Sequence, residues 1–399
     1  MTLQQLAKRK SLTILGLNSG TSADGIDLTV VKFSQSGAPR LVAGTTMPYS
    51  REVRNLVLQT ADSTQISLDQ VIYLDNLLGQ VFGKAARRFI AAQSRKGIGV
   101  DAVASHGQTV RHLPRKTRVA GHAVSGTLQL GSLDQIAHLT GKIVAGDFRQ
   151  ADIALGNEGA PITVAAVGRL LASSTQSRLI LNLGGMANYF YFPRGKIAGA
   201  EAADSGPGNV LSDLLTQRLL RKKYDKNGAF ARVGQPSHRL LTLLASDRSL
   251  AQSTRSTGRE LFGSELCDRM IAQGHKLQLS AHDLLATAIE LTVSRICRHL
   301  EPILRKDRSI RKLYLTGGGA YNSFLRKRLQ DVLSPLEVTT VAELGMDPGL
   351  LEAASYAVMG YACVKSKPLR TLFYPGAKQN LLPILGRLAQ PPASEKQGS

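Results

Sequence analysis

Asp204 carries the strongest chemical signal in this chain. It stands in Ala203-Asp204-Ser205-Gly206-Pro207-Gly208-Asn209, a single acid ahead of a Gly-Pro-Gly turn that fixes the backbone and leaves the nearby amides accessible. A general base must lie within hydrogen-bond reach of the proton it takes, and a rigid turn can hold it there. Asn209 is of the type that caps a helix through its side chain, and a helix is expected over residues 210–221. That arrangement sets a carboxylate near a helix N-terminus, where phosphate is also favoured. The other reading of Asp204 is a structural cap.

Three glycine-rich turns follow apolar runs at places where strands should end. They are Leu15-Gly16-Leu17-Asn18-Ser19-Gly20-Thr21-Ser22-Ala23-Asp24-Gly25, Leu181-Asn182-Leu183-Gly184-Gly185-Met186-Ala187-Asn188 and Leu315-Thr316-Gly317-Gly318-Gly319-Ala320-Tyr321-Asn322. Glycine lets a ligand approach main-chain N–H groups, so such loops suit a polyanion such as a nucleoside triphosphate. The first is not a P-loop, because no Gly-Lys-Ser/Thr follows and a strand rather than a helix comes next. Asp24 and Asp27 are candidate metal carboxylates there, and Asp24 also reads as an ordinary turn aspartate. Ser105 and His106, in Ser105-His106-Gly107-Gln108-Thr109, follow an expected strand end, where α/β ligand sites gather. Asp147, Arg149 and Asp152 follow another; an arginine flanked by carboxylates binds a sugar or carboxylate, or forms a salt bridge.

The elements that must position these groups are legible from periodicity. Residues 11–33 read as strand, turn, strand, and residues 178–192 repeat that theme. Apolar residues at helical spacing mark 67–92, 133–140 and 282–300, and a helix opens at Ala160-Pro161 and runs towards Ala172. Short strands are expected at 100–104, 127–131, 142–145 and 312–316, with helices over 322–333 and 350–364. The two strand-turn-strand openings fit two domains of βββαβα layout. The division expected is 1–158, rejoined by 366–399, and 159–365, with the helices after Ala160 and over 350–364 as interdomain connections. The polar end, 391–399, reads as disordered.

Composition narrows the class. At 399 residues two domains are the default, and 43% hydrophobic with 20% charged residues describes a globular protein. Fifty Lys and Arg against 29 Asp and Glu give a net charge of +21. That attracts polyanions non-specifically, yet the basic groups are scattered, Trp is absent, and aromatics make up only 5%, thin for base stacking. No specific nucleic-acid partner is expected. Cys267, Cys297 and Cys363 are far apart without metal-like spacing, as in a reducing cytoplasm. No stretch approaches the roughly eighteen apolar residues of a membrane span, and residues 1–11 lack an apolar signal core.

Taken together, the motifs resemble the anhydro-N-acetylmuramic acid kinases over nearly the whole chain. Besides the turns above, the matching pieces include Ser105 to His112, Asp147-Phe148-Arg149, Gly159-Ala160-Pro161, Asp204 to Asn209, Tyr224-Asp225-Lys226-Asn227-Gly228-Ala229 and Ser256-Thr257-Gly258-Arg259-Glu260. The resemblance implies an actin/hexokinase/Hsp70-like α/β fold of two domains, with ATP and Mg2+ in the cleft between them. It implies opening of a 1,6-anhydro ring by water and phosphorylation of the freed 6-oxygen, with Asp204 as the base. By the same resemblance the nucleotide set is Gly20, Thr21, Ser22, Asp24, Gly25, Asp27, Gly184, Gly185, Asn188, Gly206, Gly208, Asn209, Gly317, Gly318, Gly319 and Asn322. The sugar set is Asp24, Ser105, His106, Arg149, Asp152 and Glu352, and Asp24 and Asp204 are the metal candidates. The family often forms dimers, so the resemblance allows a homodimer, while the sequence itself does not fix the oligomeric state.

Some positions depart from the family pattern. Asn18 stands where these kinases usually carry Met, Ala203 replaces Phe, Glu158 replaces Gln, and Val167 replaces His. The similar levoglucosan kinases share Gly-Leu-Asn at the first turn and Gly-Ala-Tyr-Asn at the third. Residues 157–167 are expected to discriminate the two substrates, because only the muramic sugar brings a carboxylate that wants a cation.

Overall fold

The computed structural model describes residues 2–63, 65–195, 199–246, 259–369 and 383–392. Its contacts divide the chain into two units: Met1–Leu170 with Leu350–Ser399, and Leu171–Gly349. The chain therefore passes between units at 170/171 and 349/350, where the sequence reading set the divisions at 158/159 and 365/366.

The first unit is built on a sheet. Strand β1 (Leu12–Ser19) pairs antiparallel with β2 (Gly25–Phe33), and β2 with β3 (Pro39–Pro48). On its other side β1 runs parallel to β4 (Ala102–Val119), and β4 runs parallel to β6 (Ile143–Gly146). Strand β5 (His122–Leu130) forms a hairpin with β4. The β1 residues Leu12, Ile14, Leu15 and Leu17 are all fully buried, because both faces of the central strand are covered. The helix Leu68–Ser94 turns Leu74, Leu78, Phe82, Ala86 and Phe89 to the core, at a spacing of about one turn. Each such leucine or phenylalanine, fully buried, contributes roughly 1.5–3 kcal/mol.

The helix Leu351–Val364 lies against the same sheet, and every residue in it except Glu352 is buried. It comes so close to β1 that a Cβ on Gly16 would stand 1.9 Å from the Ala353 carbonyl oxygen. Glycine at that position is what lets the helix seat.

The second unit repeats this plan. Strand β7 (Arg178–Leu183) pairs antiparallel with β8 (Met186–Phe192), and β8 with β9 (Glu201–Pro207). Strand β10 (Lys312–Thr316) runs parallel to both β7 and β11 (Glu337–Thr340). The sheet orders are β12-β6-β4-β1-β2-β3, where β12 is Arg387–Ala389, and β11-β10-β7-β8-β9. Apart from the β12 edge and the β5 branch, the two orders coincide strand for strand. This is the duplicated α/β layout that the resemblance implies. The long helix Ala281–Lys306, opened by a Ser280–Asp283 capping box, backs the second sheet with Leu285, Ile289 and Ile296.

Several expectations need correcting. Ser105 and His106 do not follow a strand end, because β4 continues through them to Val119 and pairs with β5. Pro161 precedes the helix Val164–Leu171 rather than opening its first turn, and its peptide bond with Ala160 is cis. Asp204 lies within β9, a strand not foreseen, since Glu201-Ala202-Ala203-Asp204-Ser205 lacks the β-branched and aromatic residues that mark strands. The helix Arg51–Asp62 also went unread. Residues 256–258 of the Ser256–Glu260 motif, the side chains of Arg259 and Glu260, and most of the expected disordered end lie outside the described residues.

Candidate active site

In the second unit a polar row crosses the sheet at one level. Thr316 on β10 pairs with Asn182 on β7, Asn182 with Asn188 on β8, and Asn188 with Asp204 on β9. Directly paired residues share a face, so the row ends in the carboxylate of Asp204. The register slips between Ala187 and Asn188, leaving Ser205 as the extra residue on β9. Such bulges re-aim a side chain and increase local twist, and they are over-represented beside active sites.

Three glycine turns interlock next to this row. The Gly208 and Val210 N–H groups donate to the Gly185 carbonyl at 2.9 and 3.1 Å, and the Asn209 N–H donates to Gly184 O at 2.9 Å. Asn209 Nδ2 donates to Leu183 O at 3.1 Å. The expected side-chain cap from Asn209 is therefore absent, because its amide ties two turns together instead. Gly317 has φ of 80°, and a Cβ there would lie 2.4 Å from Asn182 Oδ1. At Gly208 the Cβ would lie 2.2 Å from Gly184 O. These two glycines are demanded by the fold. Gly184 and Gly318 are not: a Cβ on Gly184 meets nothing nearer than 3.4 Å, and one on Gly318 nothing nearer than 4.0 Å. In the first unit Gly20 has the same freedom, its nearest neighbour being Ser22 Oγ at 4.0 Å. Each turn named in the sequence thus keeps a glycine that its own packing does not require.

In the first unit a polar cluster gathers where β1, β4 and β6 run side by side. Arg149, just past β6, donates from Nε to His106 Nε2 at 3.0 Å and from Nη1 to Gly159 O at 3.1 Å. With Nε2 accepting, the His106 proton sits on Nδ1. Burial, and then the facing Arg149 cation, hold the His106 imidazole well below its ordinary pKa, so it is neutral at pH 7. Its ring stacks on Tyr356 at 4.4 Å between centroids. Burial pushes the Tyr356 phenol up, and Arg149 and Glu352 both act on it electrostatically. Glu352 precedes Tyr356 by one helical turn and accepts from Asn18 Nδ2 at 2.8 Å. Ser19 Oγ donates to Gln108 Oε1 at 2.7 Å, and Gln108 Nε2 returns to Gly20 O at 3.2 Å, holding the first glycine turn.

Three of the expected sugar residues, His106, Arg149 and Glu352, thus come together, joined by Asn18, already marked as a departure from the family pattern, and by Tyr356, which the sequence reading had not placed there. Tyr356 was hidden in an Ala-rich helix; its i+4 spacing from Glu352 was the available signal. Other candidates have different work. Asp152 is 1% exposed, and its two oxygens accept from Asn157 Nδ2 and Gly159 N–H, both at 2.9 Å, so it clamps the loop rather than facing a ligand. Ser105 is fully buried, and its Oγ accepts from the Gly107 N–H at 3.3 Å. Gly25 has no room for a side chain: a Cβ would lie 2.3 Å from Met47 O on β3. Asn322 Oδ1 caps the helix Ser323–Leu333 through the Phe324 and Leu325 N–H groups.

Asp24 pairs with Arg54 at 3.4 Å, and Asp27 accepts from Thr46 Oγ1 at 2.6 Å. Among the described residues no three His, Cys, Asp or Glu side chains cluster as metal ligands. Within residues 157–167, Asn157 is bonded to Asp152 and Val167 is buried.

A family model described as anhydro-N-acetylmuramic acid kinase matches residues 12–389. The anhydro-N-acetylmuramic acid kinase of Salinibacter ruber is 34% identical over 395 residues, spanning 98% of this chain and 99% of its own. That of Gloeothece citriformis is 36% identical over 361 residues, 87% of this chain and 91% of its own. Among solved structures, component A of (R)-2-hydroxyglutaryl-CoA dehydratase from Acidaminococcus fermentans has a TM-score of 0.44 at 12% identity, covering 88% of this chain and 99% of that one.

Proposed function

This chain belongs to the anhydro-N-acetylmuramic acid kinase family, and from that premise we propose that it uses ATP and water to convert 1,6-anhydro-N-acetylmuramic acid into N-acetylmuramic acid 6-phosphate, a step of cell-wall recycling. The observation that carries the reading is the position of Asp204, at the end of a polar row and on the strand that runs into the turn bonded to Gly184 and Gly185, where Gly184 leaves room for a ligand.

Asp204 takes a proton from water as the water oxygen attacks C1. The C1–O6 bond breaks, O6 takes the γ-phosphoryl group, and ADP leaves. Water is a poor nucleophile at neutral pH, so the base lowers the barrier of the ring-opening step. The phosphoryl transfer itself rests mainly on positioning and charge neutralisation. By the family resemblance, Gly20, Thr21, Ser22, Gly184 and Gly185 are the residues assigned to the phosphates, and Gly317 to Gly319 those assigned to the adenosine side. His106, Arg149 and Glu352 hold the sugar. Arg149 is the cation of that cluster and suits an acidic sugar.

Magnesium bound with the ATP would neutralise phosphate charge. It typically needs only one or two carboxylates beside phosphate and water, and Asp24 and Asp204 are the candidate carboxylates. The reaction belongs to the cytoplasm, where ATP and reduced thiols are found, and Cys267, Cys297 and Cys363 are all free. No helix among the described residues is long and apolar enough to cross a membrane.

The test is to supply MgATP with 1,6-anhydro-N-acetylmuramic acid, and separately with levoglucosan, in water enriched in 18O. The expected product of the muramic sugar carries the label on C1 and an unlabelled phosphate on O6. Turnover of levoglucosan alone would move the assignment to that substrate.

A further inference from the structure

We infer that Asn18 is a positioning residue for sugar binding, acting by holding the Glu352 carboxylate in one orientation. The inference rests on the proposed placement of Glu352 at the sugar.

The geometry follows from the strand. Gly16 and Asn18 lie two apart on β1 and so point to the same face, the one covered by the helix Leu351–Val364. Gly16 lets that helix settle onto the strand, since any Cβ would strike the Ala353 carbonyl. Thr29 Oγ1 on β2 donates to Leu350 O at 3.4 Å and steadies the start of the helix. With the helix fixed there, Asn18 lies directly under its first turn. It is 2% exposed, and its Nδ2 donates to Glu352 Oε2 at 2.8 Å. Glu352 is the one residue of the helix that is not buried.

A solvent-facing glutamate ordinarily samples many rotamers, and ordering it for a ligand costs side-chain entropy. A charge-assisted hydrogen bond from a buried, immobile donor removes much of that cost before the ligand arrives. The carboxylate is then presented to sugar hydroxyls beside the cluster of Tyr356, His106 and Arg149. A thioether or hydrocarbon of similar size at position 18 would fill the space and leave Glu352 without that donor. Asn18 is therefore a determinant of how tightly this chain holds its sugar, and has no part in nucleotide binding.

The experiment compares Asn18→Met, Glu352→Gln and the double variant, measuring KM for 1,6-anhydro-N-acetylmuramic acid, kcat, and KM for ATP, with melting temperature as the check on folding. Asn18→Met should raise the sugar KM about tenfold or more, with kcat within a few-fold and the ATP KM unchanged. The double variant should be no worse than Glu352→Gln alone, because Asn18 acts only through that carboxylate. Asn18→Ser, small enough to fold and still carrying a donor, should recover part of the loss. Additive losses, or a sugar KM unmoved by Asn18→Met while Glu352→Gln raises it, would overturn the inference and leave the sugar site standing. A sugar KM unmoved by Glu352→Gln, or a parent chain without activity on the sugar, would overturn both.

Discussion

Gly184 and Gly208 lie in the same interlocked pair of turns but should answer substitution in opposite ways. A Cβ on Gly208 would stand 2.2 Å from the Gly184 carbonyl, whereas a Cβ on Gly184 meets only Met186 O at 3.4 Å and Asn182 Nδ2 at 3.9 Å. Overpacking of the first kind costs roughly 1–3 kcal/mol or more. At about 2–4 °C per kcal/mol for a unit of this size, Gly208→Val should lower the melting temperature by roughly 2–12 °C. Gly184→Val meets no backbone within clash distance, so its stability should stay within about 0.5 kcal/mol of the parent. If the space over Gly184 belongs to a phosphate, the valine occupies it, and nucleotide affinity should fall by at least about tenfold, or about 1.4 kcal/mol. Calorimetric titration of ADP and of a non-hydrolysable ATP analogue measures that loss, with thermal unfolding run on the same samples. A folded Gly184→Val chain that bound nucleotide within twofold of the parent would refute the reasoning, because the glycine would then be serving neither fold nor ligand.

Three further outcomes are expected. Gly16→Ala should unfold or severely destabilise the first unit, since its Cβ would lie 1.9 Å from Ala353 O; an unchanged melting curve would contradict the seating of the helix Leu351–Val364 on β1. Burial, and then Arg149, lower the His112 imidazole to about 4, against about 6.5 in an unfolded chain. The unfolded chain therefore takes up a proton that the folded one refuses, and the stability from keeping His112 neutral is present above pH ~6.5 and lost as pH falls towards 4. His112→Gln should flatten that part of the profile, and identical slopes in the two chains would count against it. Finally, the +21 charge should give only weak, salt-sensitive binding to nucleic acid; a sequence-selective mobility shift at physiological salt would show a partner that the scattered basic groups do not suggest.

Much of the scaffold was written in local pattern. The helix Leu351–Val364 and strand β10 emerged from apolar periodicity, and the glycine turns marked strand ends, Gly317 because few other residues tolerate its φ of 80°. Strand β9 stayed hidden because its stability comes from pairing with β8 and backing by the helix Ala281–Lys306, not from its own residues. The long β4–β5 hairpin was masked by the run Arg111 to Arg118, whose polar side chains stay at the surface while the backbone pairs with β5. At the candidate site, residue type alone could not separate Arg149, which faces His106, from Asp152, whose oxygens are spent on its own loop. Nor could it show that Asn18 and Glu352, 334 positions apart in the chain, share a hydrogen bond.

The most direct test of the central claim is the rate of Asp204→Asn. Asparagine keeps the shape of the aspartate and much of its hydrogen bonding but cannot accept the proton from water. Loss of a general base costs about 10²–10⁴-fold, so kcat on 1,6-anhydro-N-acetylmuramic acid should fall by at least that much, while calorimetry gives an ATP-analogue affinity close to that of the parent. An Asp204→Asn chain turning over the sugar within a few-fold of the parent would contradict the account.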